Sequence, residues 1–311
     1  MCNNPVNKNV NNGLGDRLVQ IPCNNCLGCK LDRLAYWSAR CNSEFIKSKS
    51  AFVTFTYDDY HLDYMDSSCM FPTLNRDHLH KYIDNLRHQV KGLTMPRGCR
   101  SDFAFFACGE YGDQFKRPHY HVLFFGLDYQ YHKKLLESTW RNGMIKSLPV
   151  TNGGVRYVVD YMTKTISGDL AVETYDKKGL ERPFYMSSRG LGSDFFFAHK
   201  DEISRTGCVK IGSRVVPVPL YYINKYFDMS SSSYISRKNK AVESYREVMR
   251  KAKKMGFSDY DSYVKYCREA NEISMYKKLV NSGKQSLGVL GVENFLPKFD
   301  DSLVFQALNI N

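Results

Sequence analysis

The sequence lacks several features that would decide its class at once. No run of about 18 apolar residues occurs in the 311 residues, which excludes a helical membrane span. The first residues carry neither the basic nor the apolar stretch of a secretory signal, so we expect a protein of a reducing cytosol. The Gly-x4-Gly-Lys-Ser/Thr sequence of many ATPases is also missing, so any helicase must be another protein.

Acidic residues are scarce relative to basic ones. The chain has 32 Asp and Glu against 44 Lys and Arg, which gives a formal net charge of +12 at pH 7. Such a surplus favours a polyanionic partner, most simply a nucleic acid. The 22 tyrosines and 19 phenylalanines suit stacking on unpaired bases as well as the filling of a core.

Ten cysteines are present, and in an unsecreted chain they indicate thiols or metal ligands rather than disulfides. Cys23, Cys26 and Cys29 form two overlapping Cys-x2-Cys steps, which place three thiolates in one tight loop. A fourth ligand, Cys2 or Cys41, would complete a tetrahedral structural Zn²⁺ site. Free thiols and an iron–sulfur cluster are the alternatives, although the Cys-Pro of the usual cluster sequence is missing.

Regular elements surround this cysteine-rich start. Residues 30–47 have apolar side chains at helical spacing, and their Lys30 and Arg33 would either meet phosphate or form a solvated face. Residues 51–57 alternate as a β-strand does. Residues 77–91 predict an amphipathic helix that a Lys-Gly pair closes.

Two apolar runs predict further strands, one at residues 103–108 and one that begins at His119 and His121. Because side chains alternate along a strand, the two histidines point to one face, about 7 Å apart. If the two runs pair as a hairpin, the Glu110 carboxylate reaches the same cation. Two imidazoles and a carboxylate suit Mg²⁺ or Mn²⁺ in an open site better than a closed zinc site.

Other interpretations of these histidines stay open. The His-x-His pattern is short, and ordinary strand residues on a wet face would also produce it. Asp113 or Asp160 could replace Glu110 or assist it as a ligand.

Downstream, Asp128 predicts the cap of a helix over residues 129–141. A second helix would place Tyr157, Tyr161 and Lys164 at positions i, i+4 and i+7, on one face. Two phenols and an ammonium group there would form a reactive or stacking surface, or merely the edge of a core.

The last part of the chain differs in texture. Short turn-rich pieces begin at about residue 170 and include a predicted hairpin at 209–216. Residues 236–279 are basic and helical in pattern, which suits either contact with a nucleic-acid backbone or a solvated face.

The order of these features resembles the HUH endonuclease superfamily, which includes initiators of rolling-circle replication. It consists of the strand at 51–57, a glutamate nine residues before His-Tyr-His, and then Tyr-x3-Tyr-x2-Lys. The cysteine-rich start, the sequence Gly-Glu-Tyr-Gly and the sequence Arg-Pro-His-Tyr-His are similar to the initiators of small icosahedral single-stranded-DNA phages, the gokushovirus branch of the Microviridae. The resemblance covers residues 2–192.

The resemblance implies a catalytic Mg²⁺ or Mn²⁺ held by Glu110, His119 and His121, and Tyr157 and Tyr161 as nucleophiles. A tyrosine would attack a metal-polarised phosphate of single-stranded origin DNA, leave a 5′-phosphotyrosine and a free 3′-OH, and later rejoin the strand. A host polymerase would extend the 3′-OH and a host helicase would open the duplex, in the cytoplasm of a bacterial cell.

The implied fold is α+β: an antiparallel β-sheet flanked by helices, with the 51–57 strand beside the histidine strand. We expect a cysteine-rich segment at 1–47, a nuclease core at 48–170 and a mainly helical, basic, DNA-binding region at 171–311. Lys164 would neutralise phosphate or orient the phenols, and Lys30, Arg33 and Arg117 are candidate DNA contacts. An HUH relaxase or transposase, or a zinc-stabilised DNA-binding regulator without catalysis, is the alternative.

Overall fold

A computed structural model gives the structure of the protein. It describes residues 2, 5–11, 16–64, 71–112, 115–161, 166, 168–212, 214–227, 246–259, 262–267, 269–270 and 273–274. Two compact units are present, one made of residues 34–226 and the other of the residues that precede and follow them. The predicted segments 1–47, 48–170 and 171–311 stay a prediction.

The strands, in chain order, are β1 (Val6–Asn11), β2 (Asp16–Ile21), β3 (Ser50–Tyr57), β4 (Asp63–Tyr64), β5 (Pro72–Thr73), β6 (Ala104–Tyr111), β7 (Pro118–Phe125), β8 (Gly143–Pro149), β9 (Phe184–Ser187), β10 (Cys208–Ile211) and β11 (Arg214–Pro217). The helices are α1 (Leu27–Phe45), α2 (Arg76–Val90), α3 (Lys133–Thr139), α4 (Asn152–Asp160), α5 (Asp169–Thr174), α6 (Ser193–Ala198), α7 (Lys200–Thr206) and α8 (Leu220–Tyr226). Residues 246–254 are also helical.

The central element is a five-stranded antiparallel sheet with the strand order β8-β3-β7-β6-β9. The predicted strand at 51–57 lies beside the histidine strand, with Thr54 opposite His121. The predicted hairpin is also present, with Glu110 opposite His119. The expected α+β class, an antiparallel sheet flanked by helices with a cysteine-rich start, is therefore confirmed.

Helices α2 and α3 cover one face of this sheet and enclose the main core. Alternation along β3 sends Val53, Phe55 and Tyr57 to this side, where all three are buried. Phe55 meets Tyr82 of α2 edge-on, with ring centroids 4.7 Å apart, and packs on Trp140 at 5.2 Å. Edge-to-face aromatic pairs of this kind stabilise a core by about 0.5–1.5 kcal/mol beyond their buried area.

The opposite face carries α4 and part of α1. Trp37 of α1 packs on Phe106 and Tyr185, with ring centroids 5.2 and 5.5 Å away. The Arg40 guanidinium lies 4.3 Å from the Trp37 ring and donates a hydrogen bond to the Leu191 carbonyl. The cation is thereby paired with a π face and a carbonyl, which offsets the cost of burying it.

Some elements differ from the sequence-based expectations. The helix predicted at 129–141 is shorter, because the Asp128 carboxylate caps a separate turn by accepting from the backbone N–H groups of Gln130 and Tyr131. Strand β8 was not predicted. The hairpin at 209–216 is confirmed as β10 and β11, whereas much of 236–279 lies outside the described residues.

Within the described part of the chain, no helix is both long enough and apolar enough to span a membrane.

Candidate active site

Three potential metal ligands converge where β6 and β7 pair. Glu110 Oε1 lies 2.8 Å from His119 Nε2 and 3.1 Å from His121 Nε2. Neighbouring ligand atoms around an octahedral cation with bonds of about 2.1 Å lie about 3 Å apart. The three side chains predicted from the sequence therefore have the spacing that one small divalent cation requires.

The outer nitrogens of the two histidine rings are also held. His119 Nδ1 lies 3.2 Å from the Arg117 carbonyl, which only accepts, so this nitrogen carries the proton. His119 Nε2 then faces a carboxylate with its lone pair unless a cation stands between them. His121 Nδ1 lies 3.2 Å from the Thr54 hydroxyl. Such contacts fix the tautomer and orientation of metal-binding imidazoles, and the donor set fits Mg²⁺ or Mn²⁺.

Glu110 is ionised in this arrangement. Burial by itself would raise the pKa of the carboxyl group, but hydrogen bonds with His119 and His121 lower that pKa to about 2. An anionic oxygen therefore faces the two ring nitrogens throughout the neutral range.

Helix α4 brings the two tyrosines to this centre. Its first turn is capped by Thr151, whose hydroxyl accepts from the Gly154 N–H at 3.0 Å. Tyr161 stacks on His121, with ring centroids 4.6 Å apart and planes 8° from parallel. The Tyr157 ring lies 5.9 Å from His121, and the Tyr161 hydroxyl donates a hydrogen bond to the Tyr157 oxygen.

The two phenols differ in their surroundings. Tyr157 is 50% exposed, whereas Tyr161 is 8% exposed. Burial raises the pKa of Tyr161, and the hydrogen bond to Tyr157 and the charge of Glu110 act in the same direction. Tyr161 is therefore a neutral donor within the site, and Tyr157 is the phenol that solvent reaches.

Sequence reasoning missed three side chains that complete the site. Phe52 packs 5.8 Å from His121 and 6.1 Å from Tyr157, between ring centroids, and Thr54 contacts His121 from the same strand. The Cys108 thiol lies 3.6 Å from the Val158 carbonyl and joins α4 to β6. The alternation of residues 51–57 already placed Phe52 and Thr54 on one face, but not opposite His121.

Two predicted residues lie outside the described part of the chain. Lys164 and Asp113 are in this group, so their roles stay predictions. Asp160 is described, but it does not belong to the group of ligand atoms that Glu110 forms with the histidines.

The basic residues proposed as DNA contacts have protein partners. Arg117 pairs with Asp59 at 2.6 Å and also donates to the Tyr57 carbonyl, which holds the start of β7 to the end of β3. Arg33 donates to the Asn24 carbonyl at 2.9 Å, and Lys30 is buried. Their DNA-binding roles stay predictions.

A second group of metal-ligating side chains lies at the start of the chain. The sulfur atoms of Cys2, Cys23, Cys26 and Cys29 are all within 4.8 Å of one another. Cys41, the alternative fourth ligand, is buried elsewhere in α1 and is not part of the group.

A model of the replication-associated protein ORF2 family matches residues 50–166, which include the three ligands and both tyrosines. The chain is 30% identical over 225 residues to "Replication-associated protein ORF2" of Spiroplasma virus 4, covering 67% of this chain and 66% of that relative. It belongs to the family of phage replication-associated proteins.

Other members of this family are more distant in sequence. "Replication-associated protein VP4" of Bdellovibrio phage phiMH2K is 24% identical over 265 residues, which cover 79% of this chain and 80% of the relative. "Replication-associated protein ORF4" of Chlamydia phage 1 is 23% identical over 221 residues, covering 65% and 52%. The chain thus spans just under two thirds of the Spiroplasma virus relative and about half of the Chlamydia phage relative. No solved structure matches the chain.

Proposed function

We propose that this phage replication-associated protein initiates rolling-circle replication by nicking single-stranded origin DNA with a tyrosine. The observation that supports this function best is the position of the tyrosine pair: Tyr161 stacks on His121 and donates to Tyr157, beside the Glu110, His119 and His121 group. A core edge would require neither the convergent ligands nor a half-exposed phenol beside them.

Glu110, His119 and His121 would hold Mg²⁺ or Mn²⁺. When bound, the cation would polarise the scissile phosphate and offset charge on the departing 3′ oxygen, which is worth several kcal/mol. The histidine rings would keep their Nε2 lone pairs directed inward, because Thr54 and the Arg117 carbonyl hold the Nδ1 atoms.

Tyr157 is the first nucleophile in this proposal. Its oxygen is accessible and accepts a hydrogen bond from Tyr161, which favours the phenolate that must form as attack proceeds. The phenolic oxygen bonds to phosphorus, the bond from phosphorus to the 3′ oxygen breaks, and that oxygen takes up a proton. The products are a 5′-phosphotyrosine and a free 3′-OH, and the reverse reaction rejoins the strand.

Tyr161 would act in the second cleavage. The two tyrosines are one helical turn apart, so one can hold the DNA end while the other attacks the regenerated origin. In this cycle a host polymerase extends the 3′-OH and a host helicase separates the strands, in the bacterial cytoplasm. The formal net charge of +12 supports binding of the DNA backbone.

The test uses labelled single-stranded oligonucleotides that tile the genome encoding this protein, incubated with Mn²⁺ or with EDTA. Wild type is compared with Tyr157→Phe, Tyr161→Phe, the double variant and the control Tyr131→Phe, an exposed tyrosine outside the site. Label at the 3′ end detects the protein-linked fragment, and label at the 5′ end detects the fragment with a free 3′-OH.

We expect metal-dependent cleavage with a protein-linked 5′ end. Tyr157→Phe should lower the first cleavage by a factor of at least about 10², while Tyr131→Phe should leave it unchanged. Tight DNA binding without a covalent product in any metal would refute the nickase and favour a DNA-binding regulator.

A further inference from the structure

We propose that Cys2, Cys23, Cys26 and Cys29 bind a structural Zn²⁺ that folds the start of the chain. The site lies in the unit that contains β1, β2 and the first turns of α1, and the nicking chemistry does not use it. The proposal stands whether or not the protein is a nickase.

The sulfur–sulfur distances match tetrahedral coordination. Four sulfurs at about 2.3 Å from Zn²⁺ lie about 3.8 Å from one another. Cys2 Sγ is 3.5 Å from Cys23 Sγ and 3.9 Å from Cys26 Sγ, and Cys23 Sγ is 4.0 Å from Cys29 Sγ. A disulfide would need about 2.05 Å, so these thiols are close without being bonded in pairs.

The local fold explains how distant cysteines meet. Strands β1 and β2 pair from Val6 opposite Ile21, which brings the residues before and after the hairpin together. Cys2 precedes β1 and Cys23 follows β2. Asn24 has a φ of 63°, a left-handed conformation that Asn tolerates, and it turns the chain toward α1.

Apolar packing around this hairpin is sparse. Val6 is 52% exposed and Leu18 is 63% exposed. The buried cluster beside the hairpin consists of Cys2, Cys26 and Cys29, with Cys23 packed against them. A two-stranded hairpin is marginal in water, and Zn²⁺ binding supplies folding free energy directly where a core does not.

Backbone donors surround the sulfur atoms. The N–H of Cys23 donates to Cys2 Sγ at 3.2 Å, and the N–H of Cys26 donates to Cys23 Sγ at 3.4 Å. Cys29 lies in the first turn of α1, at the positive end of the helix dipole. Both effects stabilise thiolates, the form in which cysteine binds metal.

The test measures metal content in the full-length protein, purified without added metal and dialysed. We expect one Zn²⁺ per chain by elemental mass spectrometry, still present in His119→Ala/His121→Ala, which removes the other candidate site. Cys2→Ser and Cys26→Ser should each lose at least half of the Zn²⁺. The control Cys99→Ser, a half-buried cysteine outside the group, should keep it.

Co²⁺ substitution of wild type provides a second measurement that does not depend on variants folding. The visible spectrum should be that of tetrahedral thiolate coordination, and chelation should open the segment before α1 to protease. Zn²⁺ at the same low level in wild type and Cys26→Ser would overturn the proposal. A brown protein with stoichiometric iron, or a Cys2–Cys23 disulfide found by peptide mapping, would do so as well.

Discussion

Thr54 faces His121 across the β3–β7 pair, and its hydroxyl lies 3.2 Å from the Nδ1 atom of the ring. Its neighbour on the same face, Thr56, bonds instead to the Met144 carbonyl at 3.1 Å. One strand thus offers two threonines of which only one touches a proposed metal ligand.

We expect Thr54→Val to weaken Mn²⁺ binding by about 10- to 100-fold, because the imidazole loses the partner that fixes its orientation. The substitution conserves shape, so the fold should persist. Titration calorimetry with Mn²⁺ measures the change, and Thr56→Val is the matched control. Equal affinities for Thr54→Val and wild type would show that Thr54 does not position the ring.

Between elements, a buried hydrogen-bond network joins β3 and β7 to the start of α2. Tyr120, the residue between the two histidines, points away from them and is fully buried. Its hydroxyl bonds to the Tyr57 hydroxyl at 2.7 Å, donates to the Asn75 carbonyl and accepts from the Asn75 N–H. Burial raises its pKa to about 12, although hydrogen bonds from Tyr57 and Asn75 act the other way. The phenol therefore stays neutral in any usual assay.

We expect Tyr120→Phe to destabilise the protein by about 2–4 kcal/mol, because several buried polar groups lose a partner at once. Thermal unfolding should show this loss, with Tyr131→Phe as the exposed control. Below its unfolding transition, the variant should still form the covalent DNA adduct. Loss of the adduct in a folded Tyr120→Phe protein would contradict the division of roles between Tyr120 and the α4 tyrosines.

At the scale of the whole sheet, the two faces carry different tasks. The face with α2 and α3 holds the large aromatic core, whereas the face with α4 holds the ligands and tyrosines. Basic residues should therefore affect DNA binding according to the face on which they lie. Arg156 is exposed on α4 beside Tyr157, and Lys134 is exposed on α3.

We expect Arg156→Ala to weaken binding of single-stranded DNA and to reduce the slope of log K against log salt by about 0.7, the value for one lost phosphate contact. Lys134→Ala should leave the slope unchanged. Fluorescence anisotropy over a salt series measures both. Equal slopes for the two variants would place the DNA elsewhere than the α4 face.

Local patterns foretold much of the candidate site. Alternation along a strand put His119 and His121 on one face, and helical spacing put Tyr157 and Tyr161 one turn apart. Strand β8 escaped notice, and the helix at 129–141 was drawn too long because Asp128 caps a turn rather than the helix. Both errors occurred where short polar segments offer several local solutions of similar free energy.

The sequence by itself determined which side chains share a face, because backbone periodicity is a local property. Only the tertiary structure decided that Glu110 stands opposite His119, that Tyr161 stacks on His121, and that Cys2 rather than Cys41 joins the cysteine group. Strand register and helix docking depend on contacts between residues far apart in the chain. Their free energies are set by burial and shape over the whole fold, so no local pattern reveals them.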